Sequence, residues 1–97
     1  MGLSQGAMYY VADKQIAQRA LTELRAARAS EPNATLACLQ RLRNEIACAG
    51  QDDRARMEAW VSIRKLYDVF KAAPGRDIKA FWQDAISKTA AWSESLR

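Results

Sequence analysis

Residues 77–96, DIKAFWQDAISKTAAWSESL, decide the fold class of this chain. At ~100° per residue, one arc of roughly 140° on a helical wheel collects Ile78, Phe81, Trp82, Ala85, Ile86, Thr89, Trp92 and Leu96. The other face carries Lys79, Gln83, Asp84, Ser87 and Glu94. This period predicts an amphipathic α-helix that buries one face, with Asp77 as its N-cap.

The same helical period recurs in three earlier segments, which we predict as helices over about residues 12–29, 34–49 and 53–73. Three breaks separate the helices, at Glu31-Pro32-Asn33, Gly50-Gln51-Asp52-Asp53 and Ala73-Pro74-Gly75. The expected core stripes are Ile16, Ala17, Ala20, Leu21, Leu24 and Ala27; Leu36, Cys38, Leu39, Leu42, Ile46 and Ala49; and Ala59, Trp60, Ile63, Leu66, Tyr67 and Phe70.

Four amphipathic helices with short connections predict an all-α fold, a small antiparallel bundle of about four helices. The 97 residues correspond to a single domain, which we place at residues 9–97, with residues 1–8 as a flexible leader. A chain this short buries only about 60–65% of the surface that its unfolded form exposes, so its core is thin. Dimerisation is one way in which such a bundle is completed.

The cellular setting predicted from the sequence is the cytoplasm. No stretch approaches the ~18 apolar residues of a membrane span, and no basic segment followed by an apolar one marks a secretory signal. Cys38 and Cys48 fall on one predicted helix, about 15 Å apart by the helical rise, whereas a disulfide needs Cα atoms within ~7 Å. We therefore expect two free thiols, Cys38 towards the core and Cys48 more exposed.

The inventory of reactive side chains argues against an enzyme. The chain has no histidine, which removes the commonest general base and the commonest metal ligand. Neither a GxGxxG nor a GxxxxGK[ST] phosphate-binding loop occurs. The adjacent carboxylates Asp52 and Asp53 stand at a predicted helix start, where capping explains them. We predict no catalytic residues, no metal, no cofactor and no small-molecule substrate.

The net charge of +4 raises the alternative of a nucleic-acid-binding protein. The basic residues are spread over several helices and interleaved with acids, which favours an ordinary solvated surface over a phosphate-binding track. The second and third helices resemble a helix-turn-helix only in outline, because the would-be recognition helix opens with Asp52-Asp53. A dimeric helical nucleic-acid-binding protein remains the alternative.

The surplus of large aromatic side chains favours a protein partner. All three tryptophans lie in the last two predicted helices, and Met57, Val61 and Val69 fall outside the main apolar arc of the third. Trp, Tyr, Met and Arg are enriched in protein–protein interfaces and among their energetic hot spots. We predict a partner-binding face on the third and fourth helices that comprises Met57, Trp60, Val61, Arg64, Trp82 and Trp92.

The predicted function is that of a small non-enzymatic regulatory protein that binds another protein through this apolar and aromatic helical face. Inhibitors, antiactivators and adaptors belong to this class. The partner is another protein, a second copy of the chain in a homodimer, or both. The alanine- and arginine-rich composition is typical of a bacterium with high genomic GC content.

Overall fold

The described residues of a computed structural model form four α-helices, α1 (Gln5–Ala26), α2 (Pro32–Cys48), α3 (Arg54–Ala72) and α4 (Lys79–Ser95). The structure describes residues 5–28, 30–48, 54–72 and 78–96, with side chains from residue 13 onward except that of Cys48. No β-strand occurs within these ranges, and the predicted all-α class is confirmed. None of the described helices combines the length and the apolar character that a membrane-spanning helix needs.

The helices pack as an antiparallel bundle. Ion pairs join Arg19 to Glu45 and Arg41 to Glu23, so α1 and α2 run in opposite directions. The α3 helix packs between α2 and α4, and α4 packs between α3 and α1. Four helices with short connections form this arrangement because each can then bury its apolar face against two neighbours.

One continuous core runs through the bundle. Every helix contributes aliphatic or aromatic side chains with little or no exposed surface, chief among them Leu24, Leu39, Leu42, Ile46, Ile63, Leu66, Phe70 and Trp92. The predicted stripes account for all of these residues. The core also takes in polar groups that the stripes omit, namely Asp13, Thr35, Arg56 and Ser62.

The first helix begins and ends earlier than predicted. It starts at Gln5 instead of near residue 12, and it ends at Ala26 instead of near residue 29. The backbone of residues 5–8 therefore continues a helix within the segment that we expected to be a leader. Residues 1–4 lie outside the described residues, so the flexible leader and its boundary stay a prediction.

Proline starts the second helix instead of only ending the first. Pro32 is the first residue of α2, where its missing N–H is not needed and its fixed φ suits the helix. At the start of the helix, the backbone N–H of Thr35 donates a hydrogen bond to the Glu31 carbonyl at 2.9 Å. The buried Thr35 hydroxyl donates to the carbonyl of Arg28 at 2.7 Å. Thr35 thus ties the start of α2 to the chain that leaves α1.

Side chains from the second half of the chain complete the C-terminal ends of α1 and α2. The last four carbonyls of a helix have no partner within it. Arg56 of α3 donates to the Ile46 carbonyl at 2.8 Å, and Trp82 of α4 donates to the Leu24 carbonyl at 3.0 Å. Both acceptors belong to the final turns of their helices.

Several predictions concern residues that the structure does not describe. They are the breaks at Gly50-Gln51-Asp52-Asp53 and Ala73-Pro74-Gly75, the caps assigned to Asp52, Asp53 and Asp77, the core position of Ala49 and the exposure of the Cys48 thiol. The described part of α4 begins at Lys79 after Ile78, which makes no side-chain cap.

Candidate protein-binding groove

From residue 13 onward, where the structure describes side chains, the exposed large hydrophobic residues lie on α3 and α4. Met57 is 47% exposed, and Val61 and Phe81 are each 37% exposed. Isolated exposed apolar residues are common on soluble proteins, whereas a group on adjoining elements marks a candidate binding site.

Met57 and Val61 lie in an open groove between the two helices, with a volume of about 370 Å³. Ser62 and Asp84 meet across it, where the Ser62 hydroxyl donates to the Asp84 carboxylate at 2.7 Å. We call this surface the α3–α4 groove; its lining residues are Arg54, Met57, Glu58, Val61, Ser62, Lys65, Asp84 and Lys88.

Helical spacing explains why these residues share one surface. Met57, Val61 and Lys65 are four residues apart, so they stack along one side of α3. On α4, Phe81 is three residues before Asp84 and Lys88 is four residues after it, which places all three on the side that meets Ser62. Phe81 therefore extends the same side of the bundle by about one helical turn beyond Asp84.

The carboxylates and cations of the groove are unequally engaged. Asp84 accepts the Ser62 hydroxyl, and Glu58 lies 3.6 Å from the Arg54 guanidinium. Lys65 and Lys88 form no ion pair with any described residue. The groove thus combines an apolar strip with a lysine on each wall.

Two of the predicted partner-binding residues, Trp60 and Arg64, do not line the groove. The indole N–H of Trp60 donates to the Arg43 carbonyl at 3.2 Å, and the ring is half-buried against the core. The guanidinium of Arg64 lies 5.5 Å from the centre of that ring. Arg64 lies seven residues after Met57, at nearly the same angle of α3, but its side chain lies over Trp60 and does not line the groove.

The other two predicted tryptophans are structural. Trp82 faces α1 through its bond to Leu24 and meets Phe70 edge to face at 6.1 Å between ring centres. Trp92 is fully buried, so the structure places it in the core and not on the predicted partner-binding face. It lies seven residues after the fully buried Ala85, on the same side of α4, so its neighbours cover it despite its place near the end of the chain.

Phe81 is a further correction, because the sequence assigns it to the core stripe and the structure exposes it. On the wheel it stands at the edge of the predicted arc, beside Lys88. That edge position is the signal that identifies it as a surface residue. Val69, which falls outside the arc of α3, instead packs partly against the core.

Among the described side chains, several basic residues on different faces are engaged by partners within the chain. On the α1–α2 face, Arg19 and Arg41 are held by Glu45 and Glu23 at 2.7 Å. On the α2–α3 face, Arg43 and Lys71 lie 5.1 and 5.8 Å from the ring centre of Tyr67. Tyr67 itself is buried, with its hydroxyl donating to Gln40 at 3.0 Å.

A second, smaller pocket of about 210 Å³ lies between α1 and α2 beside Cys38. Burial and the carboxylate of Glu23 raise the pKa of the Cys38 thiol, outweighing the nearby Arg41. A raised pKa keeps the thiol protonated and weakens it as a nucleophile. Within the described residues, no three His, Cys, Asp or Glu side chains are arranged to hold a metal ion.

Comparisons of the chain with protein-family models, with curated proteins and with solved structures find no match.

Proposed function

We propose that this protein is a non-enzymatic regulatory domain that binds another protein through the α3–α4 groove. The observation that carries the proposal is the placement of its exposed large hydrophobic side chains: Met57 and Val61 line the groove, and Phe81 extends the same side. A soluble bundle that leaves such side chains grouped beside an open groove gains free energy when a partner removes them from water.

The shape of the surface favours a helical or extended partner segment. An apolar strip with side chains four residues apart, between two helices, is typical of a helix-in-groove contact. Interface hot spots combine a central apolar anchor with a polar rim that excludes water. Here Met57 and Val61 supply the anchor positions, and Arg54, Lys65 and Lys88 supply a polar rim.

Within this proposal, the simplest function is that of an inhibitor, antiactivator or adaptor acting in the cytoplasm. Such a protein acts by covering a surface of its partner, which requires a rigid binding face and no reactive group. The groove stands on two helices whose buried sides belong to the common core, so the face is held rigid. The low reactivity expected of the Cys38 thiol accords with a binding role.

Site-specific photocrosslinking tests the proposal. A photoreactive amino acid at position 61 is expected to capture a discrete protein in an extract of the source cell. The matched control carries the same group at position 18, because Gln18 is exposed on α1 away from the groove. Capture at both positions, or at neither, would contradict the proposed site.

The salt dependence of capture from the same extract distinguishes the proposed protein binding from the nucleic-acid-binding alternative. A protein that binds phosphates through Arg43 and Lys71 loses affinity steeply as salt rises, whereas an apolar contact does not. We expect capture at position 61 to persist between about 50 and 200 mM salt. Capture of nucleic acid that depends on Arg43 and Lys71 would replace this proposal.

A further inference from the structure

The charge arrangement around the α3–α4 groove narrows the chemistry of its partner. Three cationic side chains and two carboxylates line the groove. Both carboxylates already have partners within the chain: Asp84 accepts a hydrogen bond from Ser62, and Glu58 pairs with Arg54. Lys65 and Lys88 are the cations that no described carboxylate pairs.

The two lysines stand on opposite walls and at different heights along the groove. Ser62 and Asp84 mark the same height, because they are hydrogen-bonded. From there Lys65 lies three residues towards the end of α3. Lys88 lies four residues towards the end of α4, which is the opposite direction in an antiparallel pair. At 1.5 Å per residue, the lysines are therefore separated along the groove by about 10 Å, or two helical turns.

We propose that the α3–α4 groove binds an amphipathic acidic helix of another protein. The helix lays an apolar stripe with four-residue spacing on Met57 and Val61. It carries two acidic side chains about two turns apart, one on each flank, that reach Lys65 and Lys88. This inference rests on the proposed function and adds the charge and spacing of the partner segment.

A second copy of this chain is a poorer occupant. Self-association through a two-fold axis brings the same surface from both copies together. That would place the unpaired Lys65 and Lys88 of each copy in one interface, while their Asp84 carboxylates are already engaged with Ser62. Charge complementarity therefore favours a foreign acidic segment.

Two synthetic helical peptides of about five turns test this directly. Both carry leucines at four-residue spacing; one has glutamates two turns apart on the two flanks, and the other has lysines there. We expect the full chain to bind the acidic peptide about tenfold more tightly than the basic one at low salt. Fluorescence anisotropy measures both affinities, and the difference should shrink as salt screens the charges.

Charge exchange provides the decisive variant. The double variant Lys65→Glu, Lys88→Glu is expected to reverse the preference, so that the basic peptide binds more tightly. The control is Arg25→Glu, Lys71→Glu, which changes the net charge equally on exposed residues that do not line the groove. The control should retain the preference for the acidic peptide. Circular dichroism checks that each variant is folded.

The outcomes separate this inference from the proposed function. Equal binding of the two peptides, binding of neither, or an unchanged preference in the Lys65→Glu, Lys88→Glu variant overturns the acidic-helix inference. Self-association of the chain that is lost in Val61→Asp also overturns it, in favour of a second copy. Protein capture at position 61 would still support the proposed function in the first three cases, whereas failure of that capture would remove the proposed function itself.

Discussion

The guanidinium of Arg56 donates a 2.8 Å hydrogen bond to the Ile46 carbonyl from a position that is only 8% exposed. The acceptor lies in the last turn of α2, where carbonyls lack partners within the helix and carry the negative end of its dipole. A positive donor at that place both completes the helix end and anchors α3 to α2.

Replacing this buried arginine is expected to destabilise the fold. Arg56→Met keeps much of the aliphatic stem but removes the donor, and should lower the free energy of unfolding by about 1.5–3 kcal/mol. Urea denaturation measures the change. Arg54→Met is the control, since that side chain is 92% exposed and its ion pair with Glu58 spans 3.6 Å. A similar loss in both variants would contradict the assigned role of Arg56.

The two half-buried tryptophans should differ in how much their indole N–H groups matter. Trp82→Phe removes the donor to Leu24, whose carbonyl lies in the final turn of α1, and should cost about 1–2 kcal/mol. Trp60→Phe removes the donor to Arg43, whose carbonyl also accepts an amide within α2, and should cost less. Thermal unfolding of both variants, which lose the same ring volume, gives the comparison. Equal losses would show that volume alone decides.

Two buried threonines should respond differently to the same substitution. The Thr35 hydroxyl donates to Arg28, so Thr35→Val should lower stability by about 1–2 kcal/mol. The Thr89 hydroxyl is buried with no hydrogen-bond partner, so Thr89→Val should leave stability unchanged or raise it by about 1 kcal/mol. Chemical denaturation of the pair is the measurement. Destabilisation by Thr89→Val would indicate a partner such as an ordered water.

Introducing an aspartate into the core and into the groove should have very different effects on stability. Trp92→Asp places a carboxylate in the fully buried core and should cost more than about 4 kcal/mol, a large part of the stability of a domain this size. Val61→Asp alters an exposed residue and should leave the helical content and the melting temperature nearly unchanged. Circular dichroism on heating distinguishes them. A folded Trp92→Asp protein would contradict the buried position.

The reactivity of Cys38 should depend on Glu23. Burial and then Glu23 raise the pKa of this thiol, so in a Cys48→Ser background alkylation by iodoacetamide should reach half its maximal rate at a higher pH than for free cysteine. Glu23→Gln should lower that midpoint. Glu45→Gln is the control, because Glu45 raises the pKa of the thiol less than Glu23 does, and should lower the midpoint less.

The sign of the accompanying stability change follows from the raised pKa. The folded state favours the protonated thiol, so the contribution of Cys38 to stability is complete below the pKa of the unfolded thiol. It is lost as pH rises through the higher pKa of the folded state. Alkaline destabilisation that is the same in Cys38→Ser would exclude this linkage.

Helical period alone predicts most of the fold, because burial in a bundle depends chiefly on which side of a helix a residue occupies. Met57 and Val61 fall outside the arc of α3 and are exposed in the structure. Arg56 lies seven residues before the buried Ile63, at nearly the same angle, and is buried as well. The burial of Arg56 was not predicted, because an arginine is expected at the surface unless the tertiary structure supplies a hydrogen-bond acceptor.

The candidate site is less predictable, because a wheel does not show which neighbouring helix covers each edge of a stripe. Trp60 and Phe81 both stand at the edges of apolar arcs. The α2 helix covers Trp60, whereas Phe81 remains exposed beyond the α3–α4 contact. Residue type suggested that all three tryptophans bind a partner. In the structure Trp92 lies in the core, and Trp82 of α4 packs against the C-terminal end of α1, where it donates to Leu24.

Because α3 and α4 complete the C-terminal ends of α1 and α2, the two halves of the chain are not expected to fold independently. The hydrogen bond from Trp82 to Leu24 spans 58 residues, and the one from Arg56 to Ile46 joins α3 to α2. A fragment that stops after α2 keeps its internal ion pairs but carries two unfinished helix ends. The halves are therefore not interchangeable modules that could be duplicated or transplanted separately. Amide hydrogen exchange should accordingly report one shared opening free energy for the buried amides of α1 and α2 and for those of α3 and α4.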